Sequence, residues 1–381
     1  MMQKAKCEST QSFKLQKESF FSPLNARRWR NFKKNRRGWW SLWLFLFLCF
    51  CSFSAEFIAN DRPIIASYKG EILFPIFFDY PDEKFGGNLA VADFRDPFIQ
   101  NEIAEHGWAL WPLIRYSYNT VVGNKTVALA PPFWLQSKEE RCINYVQGSA
   151  DPECTLSQWN WLGTDDLTRD VFARVLYGFR VSIIFSILLT FVSTIIGVTA
   201  GAIQGYFGGW IDLIFQRFIE IWSSVPSLYL VIIMAAVLAQ GFWVLLGVML
   251  LFQWVALVGV VRAEFLRARN FTYVDAARAL GVPNRIIMVR HLLPNAMVAA
   301  LTYMPFLLTS GVSLLTSLDY LGFGLPPGYA SLGELMRQAT TNLNAPWIGI
   351  TGFVVIAVML SLLAFIGEAA RDAFDPRKTL Q

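Results

Sequence analysis

The sequence predicts an all-α integral membrane protein of six transmembrane helices, with a mixed, non-spanning subdomain between the first two. Three observations carry this. Of the 381 residues, 54% are hydrophobic and only 16% charged, where a soluble domain carries about a quarter charged. The mean hydropathy is +0.40. The apolar residues gather into long runs near the about 20 residues that cross a ~30 Å hydrocarbon core, and residues 58–177 hold no such run. The 32 Phe and 14 Trp fit a chain with rings at bilayer interfaces.

The first segment, 1–38, is a basic tail. Arg27, Arg28, Arg30, Lys33, Lys34, Arg36 and Arg37 fall within 24–37 without an acidic residue, and this cluster supplies much of the net charge of +5. It reads as a topological signal placing the tail in the cytoplasm, not as a nucleic-acid patch. The first span follows at 39–57. A cleaved signal peptide is the competing reading, and Ser52-Phe53-Ser54 weakly imitates its cleavage site. The tail is too long and its flank too rich in Trp for that reading.

Residues 58–177 mix prolines, charges and aromatics (Trp108, Trp111, Trp134, Trp159 and Trp161) and are long enough to fold outside the membrane. Glu71-Ile72-Leu73-Phe74 reads as strand. Cys142 and Cys154 lie in this segment, where the chemistry allows a disulfide or two free thiols. No Cys pair has zinc spacing and His106 and His291 are the only histidines, so no metal site is expected.

The remaining spans are expected at approximately 178–203, 213–239, 242–261, 295–318 and 347–367, with a tail at 368–381. Alternation from a cytoplasmic start puts 204–212, 262–294 and the tail inside. Arg262, Arg267, Arg269, Arg278, Arg285 and Arg290 crowd 262–294, while 319–346 holds only Arg337, so the charge distribution agrees. Arg217 and Glu220 are spaced to pair on one helix face. Pro226 and Pro305 fall inside spans, where they permit bending or are merely structural.

The loop 262–294 is the most informative segment. Asp275 to Leu280 reads as a short helix exposing small side chains, with Gly281 as its stop and Pro283 preventing continuation. A second helix is expected from Asn284, broken at Pro294. Small residues permit close approach by a partner, and the Asp275 carboxylate suits a partner Arg or Lys.

This pattern, Asp275-Ala276-Ala277, Gly281 and His291-Leu292-Leu293-Pro294, resembles the EAA loop of ABC importer permeases, with Asp where Glu is usual. In that family the loop is the coupling helix that docks on the ATPase. Leu162-Gly163-Thr164-Asp165-Asp166-Leu167-Thr168-Arg169-Asp170-Val171 resembles the segment before the second span of dipeptide and oligopeptide permeases, which usually carry Gly at the position of Thr168. Tyr320-Leu321-Gly322-Phe323-Gly324, Ser331-Leu332-Gly333-Glu334 and Gly367-Glu368 with Arg371-Asp372 resemble their outer loop and tail. The basic, Trp-rich first span and Glu56-Phe57-Ile58-Ala59-Asn60-Asp61 resemble the branch associated with microcin C and oligopeptide uptake. A longer N-terminal tail and an apparent insertion around 125–157 depart from it.

The resemblance implies a type-1 ABC importer permease core over 178–367 and a periplasmic subdomain at 58–177. It implies a bacterial inner-membrane location with both termini cytoplasmic. The partners it implies are a second, different permease, one or more ATPase subunits holding ATP and Mg²⁺, a periplasmic substrate-binding protein and a peptide substrate. The chain itself shows no phosphate-binding G-x-x-x-x-G-K-[ST] loop and no nucleophile beside a base, so no catalysis and no cofactor are expected. The site expected from the resemblance comprises Asp275, Ala276, Ala277, Gly281, His291, Leu293 and Pro294, with His291 bonded inside the loop's helix corner. Two rival readings are a permease for another substrate such as nickel, and a membrane-anchored receptor or interaction protein working through its outer subdomain.

Overall fold

In the computed structural model the described residues are 23–121, 128–137, 143–144, 149–150, 156 and 159–374. Cys142 and Cys154 lie outside them, so the proposed disulfide does too. The chain opens with α1 (Pro23–Lys34) and α2 (Arg36–Phe53), divided at Asn35, whose side chain accepts from the Gly38 amide at 3.2 Å and so starts the second helix.

A small α/β unit comes next. Strands β1 (Ile65–Tyr68), β2 (Glu71–Leu73) and β3 (Gly107–Leu110) form an antiparallel sheet in the order β2-β1-β3, with Ala66 opposite both Leu73 and Ala109. Helix α3 (Pro97–His106) starts at Asp96, whose side chain caps it. Its Ile99 and Ile103 meet Tyr68, Leu73, Phe85 and Phe94 in a core of the unit's own. The strand read at Glu71 is therefore present, although Phe74 lies beyond it.

Helices then dominate: α4 (Val171–Phe207), α5 (Gly209–Ser224), α6 (Ser227–Val237), α7 (Phe242–Ala268, with one turn at Trp254), α8 (Thr272–Ala279), α9 (Asn284–Leu321), α10 (Leu332–Thr341) and α11 (Pro346–Phe374). Among the described residues α4, α7, α9 and α11 are long and apolar enough to cross a membrane. The α5–α6 pair makes a fifth span if it is read as one helix bent by 70°. Pro226 sits at that break, where a residue without an N–H and with fixed φ ends a helix. The 18-residue α2, which carries Arg36 and Arg37 in its first turn, is not among the four.

Pro294 does not break α9. The helix widens into a π-helical stretch over Ile287–Leu292 and continues. A proline ring collides with the carbonyl four residues before it, here Arg290, and a wider turn at that point relieves the collision without ending the helix. Pro305 likewise lies inside the continuous helix.

Three glycines set how closely the two best-packed long helices approach. A Cβ at Gly197 would lie 2.7 Å from the Trp254 carbonyl oxygen, at Gly201 2.8 Å from that of Val258, and at Gly205 2.5 Å from the Phe265 Cβ. These contacts are impossible for any larger residue, so the four-residue glycine spacing presses the α4 backbone against α7. Gly38 does the same for α2, where a Cβ would fall 2.1 Å from the Ala369 Cβ of α11.

The packing defines two ends. At one, Ser52 Oγ donates to the Leu176 carbonyl, Arg180 holds Glu56 through both carboxylate oxygens at 2.7 and 2.9 Å, and Tyr177 donates to the Ala59 carbonyl. The α/β unit follows this end in the chain. At the other end α1 rests on the last turns of α11, with Phe32 buried against Ala369 and Ala373.

Candidate functional site

Helix α8 and its surroundings sit where α4, α7 and α9 converge. Phe271 is extended and precedes the helix, which runs from Thr272 and so begins earlier than the sequence predicts. It stops where expected. Gly281 adopts φ of +75°, its amide donates to the Arg278 carbonyl at 3.0 Å, and the Val282 amide donates to that of Ala277 at 3.0 Å. These two bonds satisfy carbonyls that the helix leaves open, and the left-handed turn they need favours glycine.

The helix has a fixed face and an open face. Val274 is fully buried in one cluster with Val198, Tyr206, Leu257, Phe265, Ile287 and Leu292, against which Ala277, Val282 and Leu293 also pack. Asp275, Ala276, Ala279 and Gly281 are exposed, and Leu280 is 83% exposed. The two motif alanines therefore differ: Ala276 lies on the open face and Ala277 is wedged toward the core. Such a spread of small residues around an 83% exposed leucine is the surface a partner would have to cover.

Tyr206, near the end of α4, anchors the loop. Its hydroxyl donates to Asn284 Oδ1 at 2.6 Å, and the Arg278 guanidinium lies 5.5 Å from its ring centroid. Arg262 Nε and Nη2 donate to the two carboxylate oxygens of Asp212 at 2.5 and 2.7 Å, joining α5 to α7. Asp275 makes only a loose, exposed pair with Arg278 at 3.5 Å, which leaves its carboxylate open to a partner. His291 is exposed, and among the described residues nothing hydrogen-bonds to its ring. The bond expected for it is absent, and the residue lies exposed on the π-helical stretch Ile287–Leu292. Pro294 is exposed at the start of the helical stretch beyond that turn.

Sequence reasoning passed over Val274, Tyr206, Ile287 and Leu292. The spacing of Val274, Ala277 and Leu280 holds part of the signal, but Leu280 points outward, so the stripe alone misplaces the buried face.

A second constellation lies at the opposite end. Asp165 is fully buried and accepts from the amides of Leu167 and Arg169 and from Arg169 Nε, at 2.7 Å for the last. Arg169 Nη2 and Arg174 Nη2 both donate to Glu334 of α10, at 3.0 and 2.5 Å. Gln338 Nε2 donates to Glu334 at 3.3 Å. The motifs before α4 and at the start of α10, far apart in sequence, thus close into one charge-balanced knot. Removing one member would leave a buried charge unpaired.

Asp170 caps α4 by accepting from the Ala173 amide at 2.8 Å, while its other oxygen is buried without a partner. Burial pushes its carboxyl up to about 7, against the lowering effect of the amides it accepts from. Asp166 is also raised, chiefly by burial and then by the neighbouring Asp165.

The chain belongs to the permease subunits of ABC importers, of the peptide and oligopeptide type. The family described as "Binding-protein-dependent transport system inner membrane component" matches residues 193–380, and "N-terminal TM domain of oligopeptide transport permease C" matches 22–70. The "Peptidoglycan transport system permease protein YejE" of Agrobacterium fabrum is 62% identical over 381 residues, covering 100% of both chains. The "Inner membrane ABC transporter permease protein YejE" of Escherichia coli is 50% identical over 363 residues, covering 95% of this chain and 100% of that one. An "Oligopeptide transport system permease protein OppC" of Lactococcus lactis is 32% identical over 227 residues, covering 58% of this chain and 77% of that one. As a permease subunit the chain is a non-catalytic transport component, and subunits of this class bind no cofactor themselves. Membership implies an ATPase and a substrate-binding partner. It also removes the receptor reading, which leaves the matched region 193–380 without a role.

Proposed function

We propose that this chain is one half of the transmembrane pathway of an ATP-driven importer that carries peptides, oligopeptide or microcin C-like, across the bacterial inner membrane. It pairs with a second, different permease and crosses the membrane six times, α2 being the first span and the α5–α6 pair the third. The charge distribution around 24–37 and 262–294 supports cytoplasmic termini, which places the α/β unit on the periplasmic side, where a binding protein delivers substrate.

The observation that carries this reading is the two-faced geometry of α8. Its outer face, Asp275, Ala276, Ala279 and Leu280, is open to a partner, while Val274 is locked among α4, α7 and α9. A push on such a helix cannot be absorbed locally, because a close-packed core transmits displacement. When the ATPase closes on ATP and its Mg²⁺, the helix moves with its docking cleft. The Tyr206–Asn284 bond and the core around Val274 then carry that movement into the spans, alternating the access of the pathway. Gly281, His291, Leu293 and Pro294 shape the loop; Asp275 supplies the charge that meets the ATPase.

The test is uptake of a labelled oligopeptide by cells whose only copy of the system carries this chain, measured beside labelled nickel. Peptide uptake that needs the chain supports the reading. Chain-dependent nickel uptake without peptide uptake replaces the substrate.

A further inference from the structure

The cleft between the α1–α2 corner and the last turns of α11 has chemistry that transport does not use. It is a cavity of about 520 Å³ lined by Lys34, Asn35, Arg36, Arg37, Phe365, Glu368 and Asp372. Its walls are fixed. Phe32 is buried against α11, Trp29 stacks on it at 5.8 Å, Trp39 meets Trp29 edge-on at 5.7 Å, and Arg28 lies 4.7 Å over the Phe374 ring. Asn35 caps α2, and Gly38 presses on Ala369.

Three cations and two carboxylates line this one cavity; Asp372 has an interaction of its own, while among the described residues Lys34, Arg36, Arg37 and Glu368 form no ion pair with one another within 4.0 Å. A gap between opposite charges suits a ligand that itself carries both. The depth is also informative. Trp40 and Trp43 are exposed just beyond the corner, at 71% and 52%, and such rings settle at the headgroup level of a bilayer. Phe365 supplies an apolar edge where the polar lining meets the spans.

We propose that this cleft binds one phospholipid of the ethanolamine class. Its phosphate sits on Arg36, Arg37 and Lys34, and its ammonium is directed at Glu368. Three N–H donors on the ammonium match a carboxylate, whereas a choline headgroup has none to offer and a glycerol headgroup brings no positive charge. The basic stretch 24–37 concentrates phosphates at this surface before one is held. With the orientation proposed above, this lipid belongs to the cytoplasmic leaflet; the headgroup chemistry does not depend on that orientation.

The experiment is native mass spectrometry of the full-length chain, purified in mild detergent with whatever partners accompany it. Lipid is stripped and then offered as an equimolar mixture of phosphatidylethanolamine, phosphatidylcholine and phosphatidylglycerol. The unmodified chain is expected to retain phosphatidylethanolamine over both others. Arg36→Gln with Arg37→Gln lowers retention of every phospholipid by at least about fivefold, the effect of about one removed basic contact. Glu368→Gln lowers phosphatidylethanolamine alone, leaving phosphatidylglycerol unchanged or raised. These side chains are exposed, so the variants should fold; should the double variant aggregate, Arg37→Gln alone carries the phosphate arm. Preference for phosphatidylglycerol in the unmodified chain, or unchanged phosphatidylethanolamine in Glu368→Gln, overturns the proposal. Protease accessibility of an N-terminal tag in spheroplasts reads orientation separately: a tag cleaved from outside removes the leaflet assignment while the lipid counts stand.

Discussion

At Gly281 the constraint is torsional and not steric. No atom lies within 4 Å of a Cβ built there, yet φ is +75°. Gly281→Pro must abandon that angle and lose the amide donor to Arg278, so the end of α8 rearranges while the spans, which do not depend on it, still insert. The expected outcome is a normal amount of chain in the membrane with ATP hydrolysis no longer tied to peptide uptake. Unimpaired uptake by the variant would remove the coupling role. Thr168 shows the opposite choice: its φ is +63° at the position where the resembling permeases usually carry Gly, so a residue with a Cβ bears a strain of about 1 kcal/mol there. The departure was visible in the sequence, but its conformational meaning required the backbone. Asp170 makes a pH prediction. Its carboxyl is raised from 3.8 to about 7, so the folded state favours the neutral acid, and stability from this group declines as pH rises between those values and stays low above them. Asn caps a helix about as well as Asp and does not titrate. In Asp170→Asn the decline of melting temperature between about pH 4 and pH 7 should be smaller than in the parent; equal slopes would place the pH dependence elsewhere.

Among elements, the glycine spacing of Gly197, Gly201 and Gly205 is the contact with the least tolerance. Gly201→Leu places atoms where the Val258 carbonyl and the Val261 side chain already are, at 2.8 and 2.9 Å from the first added carbon. Forcing α4 and α7 apart should cost about 3 kcal/mol or more. The measurable result is a lower melting temperature and loss of a monodisperse elution peak; a variant as stable as the parent would mean that the two helices separate freely. The apolar helices were legible because hydrophobicity and length alone decide them. The glycine spacing was equally present in the letters, but it gains meaning only when a particular facing helix is known. Pro226 and Pro294 look alike in sequence and act differently. The first divides two helices bent by 70°, and the second is absorbed by a π-helical turn. Whether a proline breaks a helix depends on how its neighbours can accommodate the displaced carbonyl, which local composition does not encode. For the same reason the sequence presents the knot of Asp165, Arg169, Arg174 and Glu334 only as two separate motifs: pairing across that much sequence is a property of the fold.

Across the whole molecule the charges separate by end. The balanced, buried knot lies at one, while the other carries the basic α1–α2 corner, the Asp212–Arg262 pair and the open face of α8. That second end is where an energy-supplying partner and the headgroups of one leaflet would both be met. The residues proposed to couple are recognisable in the sequence by their order along the chain, but the division between Ala276 outside and Ala277 inside is not, because it depends on which side of α8 the core occupies. The measurement that tests the central claim most directly is purification of the tagged chain in mild detergent, with its companions identified by mass spectrometry, beside the same purification of Asp275→Lys. The account predicts a second permease and an ATPase with the parent chain, and an ATPase yield reduced by severalfold in the variant, because a docked charge has been reversed. Recovery of the chain alone in several detergents, or an ATPase retained equally by both, would contradict it.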